Sequence, residues 1–216
     1  MTGGPTLPDM EAVYDAIAEP WARTRSGAWP AVTKFLAELP RGTLVVDIGV
    51  GSGRYLQVPE ARGLRFVGLD FSKAQLAIAR RAARERAHLV RADVRALPLR
   101  TASAHAALHV AVLHHLASRE ERVASLRELH RLLRGGARAL VSSWGLTAPV
   151  FSAARRAEGG GPHDFIVPFK EKLPAPADRF FHAYEAGELA AEAASAGFAS
   201  MRAWNEDDNE FVEVVR

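Results

Sequence analysis

The sequence predicts an α/β fold, a mostly parallel sheet flanked by helices and closed by an antiparallel hairpin. Three observations predict it. Short apolar runs alternate with helical patterns between residues 43 and 144, which is the signature of right-handed βαβ units. The first apolar run ends in a glycine loop, Gly49-Val50-Gly51-Ser52-Gly53. Two β-rich runs at the C-terminal end, 198–204 and 210–215, flank the turn-forming residues Asn205-Glu206-Asp207-Asp208-Asn209, so they form a hairpin.

The elements follow in order. Residues 11–39 read as two helices: Val13, Tyr14 and Ile17 share one face, as do Val32, Phe35, Leu36 and Leu39, and Pro30 suits the first turn of the second helix. The stretch 20–30 between them is too punctuated to be helical throughout. Thr43-Leu44-Val45-Val46-Asp47-Ile48 reads as a buried strand, and 65–70 as a second. Ser72 and Gln75 form the pattern of a capping box opening a helix to about residue 84. Residues 87–91 and 105–113 are the third and fourth strands. A helix over 118–133, capped by Gly135-Gly136, leads to a fifth strand over 137–144. After Gly187 a helix runs to Ser195. The stretch 145–180, with Gly159-Gly160-Gly161-Pro162 and Lys172-Leu173-Pro174-Ala175-Pro176, shows no strong periodicity and reads as irregular. A loop of that length inside a compact domain is usually a functional lid, so a substrate-side insertion is expected.

The length of 216 residues fits one domain spanning 1–216, with N-terminal helices over 10–39 and the insertion over 145–180. Hydrophobic residues are 48% and charged residues 25%, the balance of a globular protein able to bury a full core. No apolar run approaches a membrane span of about 18–20 residues and no basic leader precedes an apolar core, so a cytoplasmic location is expected. Cysteine is absent, which excludes disulfides, thiolate metal sites and cysteine nucleophiles, and no metal site is expected. The net charge of +3 permits nucleic-acid binding without demanding it. Arg119, Arg122, Arg127, Arg131, Arg134 and Arg138 lie beside Glu120, Glu121 and Glu128, and read as a solvated helix face rather than a phosphate-binding one.

The chemistry starts at the glycine loop. Glycines between a strand and a helix let a ligand approach the backbone where an open parallel sheet binds it. Here Gly49, Gly51 and Gly53 give G-x-G-x-G after Asp47, whereas a dinucleotide fingerprint wants a glycine at position 54, which is Arg54. The spacing therefore favours a nucleoside cofactor without pyrophosphate. Asp70 ends the second strand, where an acid takes the hydroxyls of a ribose. Asp93 follows the third, placed to accept from an adenine amino group. Val94 and Val110 complete the expected cofactor pocket. One acid at a strand end is as well explained as a turn or cap. Three at successive strand ends are not.

These positions resemble the signature of the class I S-adenosylmethionine-dependent methyltransferases. The resemblance implies a Rossmann-like, seven-stranded, mostly parallel sheet with a reversed last strand, and S-adenosyl-L-methionine as cofactor. A narrower set is similar to the tRNA methyltransferases acting on wobble 5-carboxymethyluridine: Val13-Tyr14-Asp15-Ala16-Ile17-Ala18, Thr24-Arg25, Trp29-Pro30, Val112-Leu113-His114-His115, Trp144, Asp164-Phe165-Ile166-Val167-Pro168-Phe169, His182-Ala183-Tyr184, Gly187-Glu188-Leu189 and Asp208-Asn209. Val50, Phe181 and Glu210 depart from that family, which commonly has Cys, Tyr and an aromatic there. The resemblance implies a tRNA substrate and a small zinc-binding activator subunit.

A carboxylate acceptor with a pKa near ~4 is already ionised at neutral pH, so no general base is required; the protein must align it and exclude water. Arg25, His114 and His182 are the candidates for a clamp on that carboxylate. Trp29 and Trp144 are either stacking platforms for a splayed base or core residues. Asn209 is assigned either to the substrate or to the hairpin turn. His114 and His115 are as well explained structurally as functionally. Two other functions stay open. A small-molecule methyltransferase for a quinone, phenol or carboxylic acid predicts a closed apolar pocket under the insertion, and an inactive cofactor- or RNA-binding protein predicts binding without turnover.

Overall fold

The computed structural model describes residues 9–24, 27–83, 86–169 and 177–216. Three short helices come first: α1 (Met10–Ala16), α2 (Ala18–Thr24) and α3 (Pro30–Ala37). Asp9 caps α1 through the amides of Glu11 and Ala12. The stretch 20–30 is not helical throughout: α2 ends at Thr24 and residues 27–29 are non-helical, while Pro20 is accommodated as the third residue of α2, where an amide has no intrahelical acceptor to lose.

The alternating part follows: β1 (Leu44–Ile48), β2 (Arg65–Asp70), α4 (Lys73–Ala83), β3 (Ala87–Arg91), β4 (Ala104–Val110), α5 (Arg119–Leu132) and β5 (Leu133–Trp144). Two boundaries differ from the sequence reading. The strand expected to reach 113 stops at Val110, and Leu113–His115 turn as a 3₁₀ helix. Gly135 and Gly136 do not cap α5. Leu133 ends that helix in an extended conformation, and both glycines lie within β5.

Lys172-Leu173-Pro174-Ala175-Pro176 lie outside the described residues, and the described residues of 145–180 are not irregular. They carry β6 (Arg155–Arg156) and β7 (Asp164–Pro168), which with β8 (Asp178–His182) form a three-stranded antiparallel sheet. The strands are too short for periodicity to register, but the aromatics Phe165, Phe180 and Phe181 are all buried in them. The chain ends in α6 (Glu188–Ser195), β9 (Ser200–Glu206) and β10 (Asn209–Val215). Asp207 and Asp208 take φ of 47° and 62°, the left-handed pair of a type I′ hairpin turn.

The main sheet has seven strands in the order β3-β2-β1-β4-β5-β10-β9. Strands β1 to β5 pair in parallel, and β10 runs antiparallel between β5 and β9. This is the expected mostly parallel sheet with its reversed finish. The order reverses at β1, and the crevice outside the C-terminal ends of β1 and β4 is where such a sheet binds its ligand. One core layer packs α5 and α6 on one face, through Leu126, Leu129, Leu189 and Val212; the other packs α3 on the opposite face, through Val32, Phe35, Leu108 and Phe211. No helix among the described residues is long and apolar enough to cross a membrane.

Candidate active site

The loop after β1 builds one wall of a cavity lined by Gly49, Val50, Gly51, Ser52 and Asp70. The glycines do different work. A Cβ on Gly49 would stand 2.2 Å from Val112 Cγ2, and its φ of +77° is left-handed, so neither space nor backbone admits a side chain. Gly53 does not line the cavity; it lets the loop close on α4, where a Cβ would meet Ala79 Cα at 3.2 Å. At Gly51 the space beside the backbone is open, with Gln75 Oε1 the nearest atom at 4.0 Å.

Asp70 accepts from the amides of Gly51 (2.8 Å) and Ser72 (2.9 Å), which fixes the carboxylate in the crevice. Burial lifts its pKa to about 6 against the pull of those amides. Behind the loop, Asp47 is 2% exposed and its Oδ2 has no partner among the described residues. Burial first, and Asp70 second, raise it to about 7. Two buried acids that resist ionisation side by side suit a cationic ligand, whose charge would favour both carboxylates.

Gln75 was expected to complete a capping box. Only half forms: Ser72 Oγ accepts from the Gln75 amide, while Asp15 of α1 supplies a second cap to the Ala74 amide. The Gln75 side chain instead lines the cavity, 1% exposed, with both polar atoms lacking a partner among the described residues. Its amide offers a donor and an acceptor to a ligand. The capping pattern hid this role in the sequence.

The opposite wall comes from α1, α2, the turn after β4 and the insertion sheet: Tyr14, Trp21, Val112, His114, His115 and Phe181. His114 is 1% exposed, stacks on Phe181 at 4.7 Å and lies 3.2 Å from Ser143 Oγ through Nδ1. The Nδ1–H of His115 donates to the Phe180 carbonyl (2.8 Å), which leaves Nε2 to accept from the Tyr14 hydroxyl (2.7 Å). Trp29 and Trp144 are partly exposed, line the cavity and meet edge-on at 6.3 Å. Val94 and Val110 line it too.

Other expected residues stand elsewhere. Asp93 lines an adjoining cavity that shares Phe71, Val94, Val112 and His115 with the first, and Arg95 holds its carboxylate at 2.6 Å, with Glu121 on the other side of that guanidinium. Asn209 is 2% exposed, lies outside the cavity and donates to the Asp207 carbonyl (2.7 Å), the bond of a turn residue; its Oδ1 has no partner. Arg25 lies outside the described residues.

His182 is also away from the cavity lining. Its Nδ1 lies 2.8 Å from Asp164 and its Nε2 2.9 Å from Glu188. Carboxylates only accept, so both nitrogens carry hydrogen and the ring is an imidazolium. Burial lowers its pKa, but the bonds to Glu188 and Asp164 outweigh it and the net shift is upward. Arg122 continues the network to Glu192 (2.9 Å) and Glu188 (3.3 Å), and Glu192 accepts from Tyr184 (2.9 Å). His182 therefore ties the insertion sheet to α6, and so holds Phe181 in place.

Comparison with known proteins places this geometry. The family described as Methyltransferase domain matches residues 46–141, from β1 to β5. A methyltransferase of Encephalitozoon cuniculi is 31% identical over 199 residues, covering 92% of this chain and 90% of its own. The chain belongs to the class I methyltransferase family. The tRNA (carboxymethyluridine(34)-5-O)-methyltransferase of Xenopus tropicalis is 42% identical over 134 residues, 62% of this chain; the chain spans about 20% of that relative's length. Among solved structures, a Haloferax volcanii chain from the complex between the Trm112 methyltransferase activator and a methyltransferase superposes with a TM-score of 0.67 at 17% identity, over 94% of this chain and 96% of its own.

The methyltransferase cofactor is S-adenosylmethionine, and the residues present fit it. The open backbone at Gly51, the unpartnered Gln75 amide and the buried acids Asp47 and Asp70 provide for a hydroxylated, positively charged nucleoside. Asp70 and Gln75 would hold it from the loop side of the cavity, which Val94 and Val110 also line.

Proposed function

We propose that this methyltransferase esterifies the carboxylate of 5-carboxymethyluridine at the wobble position of tRNA. The observation that carries the reading is the 42% identity to the Xenopus tropicalis enzyme of that name. The cavity supports it. When bound, S-adenosylmethionine supplies an electrophilic methyl on sulfur; the acceptor oxygen forms the new C–O bond while the S–C electron pair leaves on sulfur. No proton moves, because the carboxylate is already ionised. The protein's part is to orient and to dry. Tyr14, Trp21, Val112 and Phe181 exclude water, the imidazole of His114 and the guanidinium of Arg25 are the contacts proposed for the carboxylate, and Trp29 and Trp144 are the proposed base platforms. His182 supports the wall rather than the substrate.

A small activator subunit is the proposed partner. The likeness to the Haloferax volcanii chain supports it, as does β3, which closes one edge of the sheet with only β2 beside it and with Leu89 and Val90 partly exposed.

The test is transfer of labelled methyl from S-adenosylmethionine to tRNA with and without the carboxymethyl group, with and without the activator. Base-labile label that requires the carboxymethyl group is expected. Transfer to small phenols or quinones, with none to tRNA under either condition, would replace this reading with a small-molecule one. Asp70→Ala is expected to abolish cofactor binding.

A further inference from the structure

Two arginines among the described residues are almost fully buried, Arg122 at 3% and Arg179 at 5% exposed. Arg122 has two glutamates. Arg179 has no carboxylate within ion-pair distance among the described residues. Its Nη2 donates to the Pro168 carbonyl at a long 3.4 Å, and its Nε is buried without a partner among the described residues. The phenol of Tyr14 is a further polar neighbour. Around the guanidinium stand three aromatic rings: Trp21 at 5.1 Å, Phe181 at 5.2 Å and Phe169 at 5.6 Å.

An arginine stays charged even there, and a buried charge without a counter-ion is costly. Such a cation is tolerated where its field meets an anion. Tyr14, Trp21 and Phe181 all line the acceptor side of the cavity, so Arg179 lies directly behind that wall. The Tyr14 hydroxyl spends its hydrogen on His115, which leaves its oxygen to accept from Arg179. Asp70, the one acid lining the cavity among the described residues, stands at the glycine loop. The acceptor wall is therefore backed by a cation with no acid facing it, whereas the glycine-loop side carries the acid Asp70 together with Arg54.

We propose that Arg179 is the specificity residue of the acceptor end: its caged guanidinium, without a counter-ion among the described residues, makes the wall of Tyr14, Trp21 and Phe181 electropositive and selects a carboxylate over a neutral acceptor. This rests on the methyl-ester reading. Arg179 acts through the wall, so it is a positioning residue, and its field is strong because little water intervenes. Arg179 is not singled out by the sequence, because nothing there distinguishes a surface arginine from a caged one.

The test compares wild type, Arg179→Met and Arg179→Lys on anticodon stem-loops carrying 5-carboxymethyluridine or its neutral carbamoylmethyl counterpart. Equilibrium binding of both RNAs, KM and kcat on the first, cofactor affinity and thermal stability are measured. Arg179→Met is expected to weaken binding and raise KM for the carboxylate RNA by about 10–100-fold. Binding of the neutral RNA, cofactor affinity and stability should be unchanged, and Lys should restore much of the preference. Equal weakening of both RNAs, or loss of stability with cofactor binding, would mean a structural role and overturn the proposal. So would a wild type that binds both RNAs alike. A wild type that prefers the carboxylate RNA but transfers no methyl, with the preference erased by Arg179→Met, would sink the methyl-ester reading and leave this proposal standing.

Discussion

The surroundings of Arg122 and Arg179 differ in one respect that decides what each arginine does. Both guanidiniums are buried, and both sit against aromatic rings, Arg122 over Tyr184 at 5.5 Å. Arg122 is neutralised by Glu188 and Glu192, and that pair extends through His182 to Asp164. Every charge there is answered, so the cluster fixes α5, α6 and the insertion sheet relative to one another and offers nothing to a ligand. Arg179 is left unanswered beside the cavity. A closed network holds structure; an open charge exerts a field. Equal burial is thus no guide to equal purpose.

Removing one partner of the closed network should have the largest effect. Arg122→Met leaves the buried Glu192 without its cation, while Glu188 keeps His182, and should cost about 3–5 kcal/mol, read by denaturant unfolding. A loss below about 1 kcal/mol would break the comparison. Next comes His182→Asn, which deletes two charge-assisted bonds and should cost about 2–3 kcal/mol at pH 6. Because the folded pKa of His182 is raised, its contribution is complete below the ordinary histidine value of about 6.5 and fades as pH rises through the folded value, so wild type and variant should converge at alkaline pH. A gap that widened with pH would contradict the imidazolium assignment.

The cofactor end gives an effect of opposite sign. Asp47 and Asp70 have raised pKa values, about 7 and about 6, so the folded protein without cofactor holds protons the unfolded chain has released. Their destabilisation therefore grows as pH rises from the ordinary carboxylate range of about 4 toward 7. Binding of a cation should release those protons, so S-adenosylmethionine affinity should rise with pH between about 6 and about 7, and Asp47→Asn should flatten that rise in calorimetric titration. The smallest stability change belongs to Arg179→Met. Replacing an unpaired buried charge by an apolar side chain should leave unfolding free energy unchanged or raise it by about 1 kcal/mol. A loss like that of Arg122→Met would show that the two arginines do the same work.

Much of the fold was legible because it is written locally. Strand runs between glycine and turn residues declared β1 to β5, and the aspartate turn declared the final hairpin. The insertion sheet was not, since β7 and β8 have five residues each and are buried on both sides of any alternation. Of the site, Asp47, Gly49, Gly51 and Asp70 could be read from their order along the chain. Gln75 was misread, because a residue three after a serine at a helix start satisfies a capping pattern whichever way its side chain turns. His182 was misplaced for a related reason: a histidine in an aromatic strand looks alike whether it faces a cavity or two carboxylates.

By itself, then, the sequence determined the parallel sheet, its antiparallel finish and the cofactor loop, since each depends on residues close together in the chain and on backbone preferences that neighbours cannot much alter. Only the tertiary structure decided which polar side chains are satisfied. Arg122 meets glutamates 66 and 70 residues away, and Arg179 meets rings from α2 and from its own sheet. Charge pairing falls off with distance in space, not in sequence, and burial removes the water that would otherwise answer every charge alike.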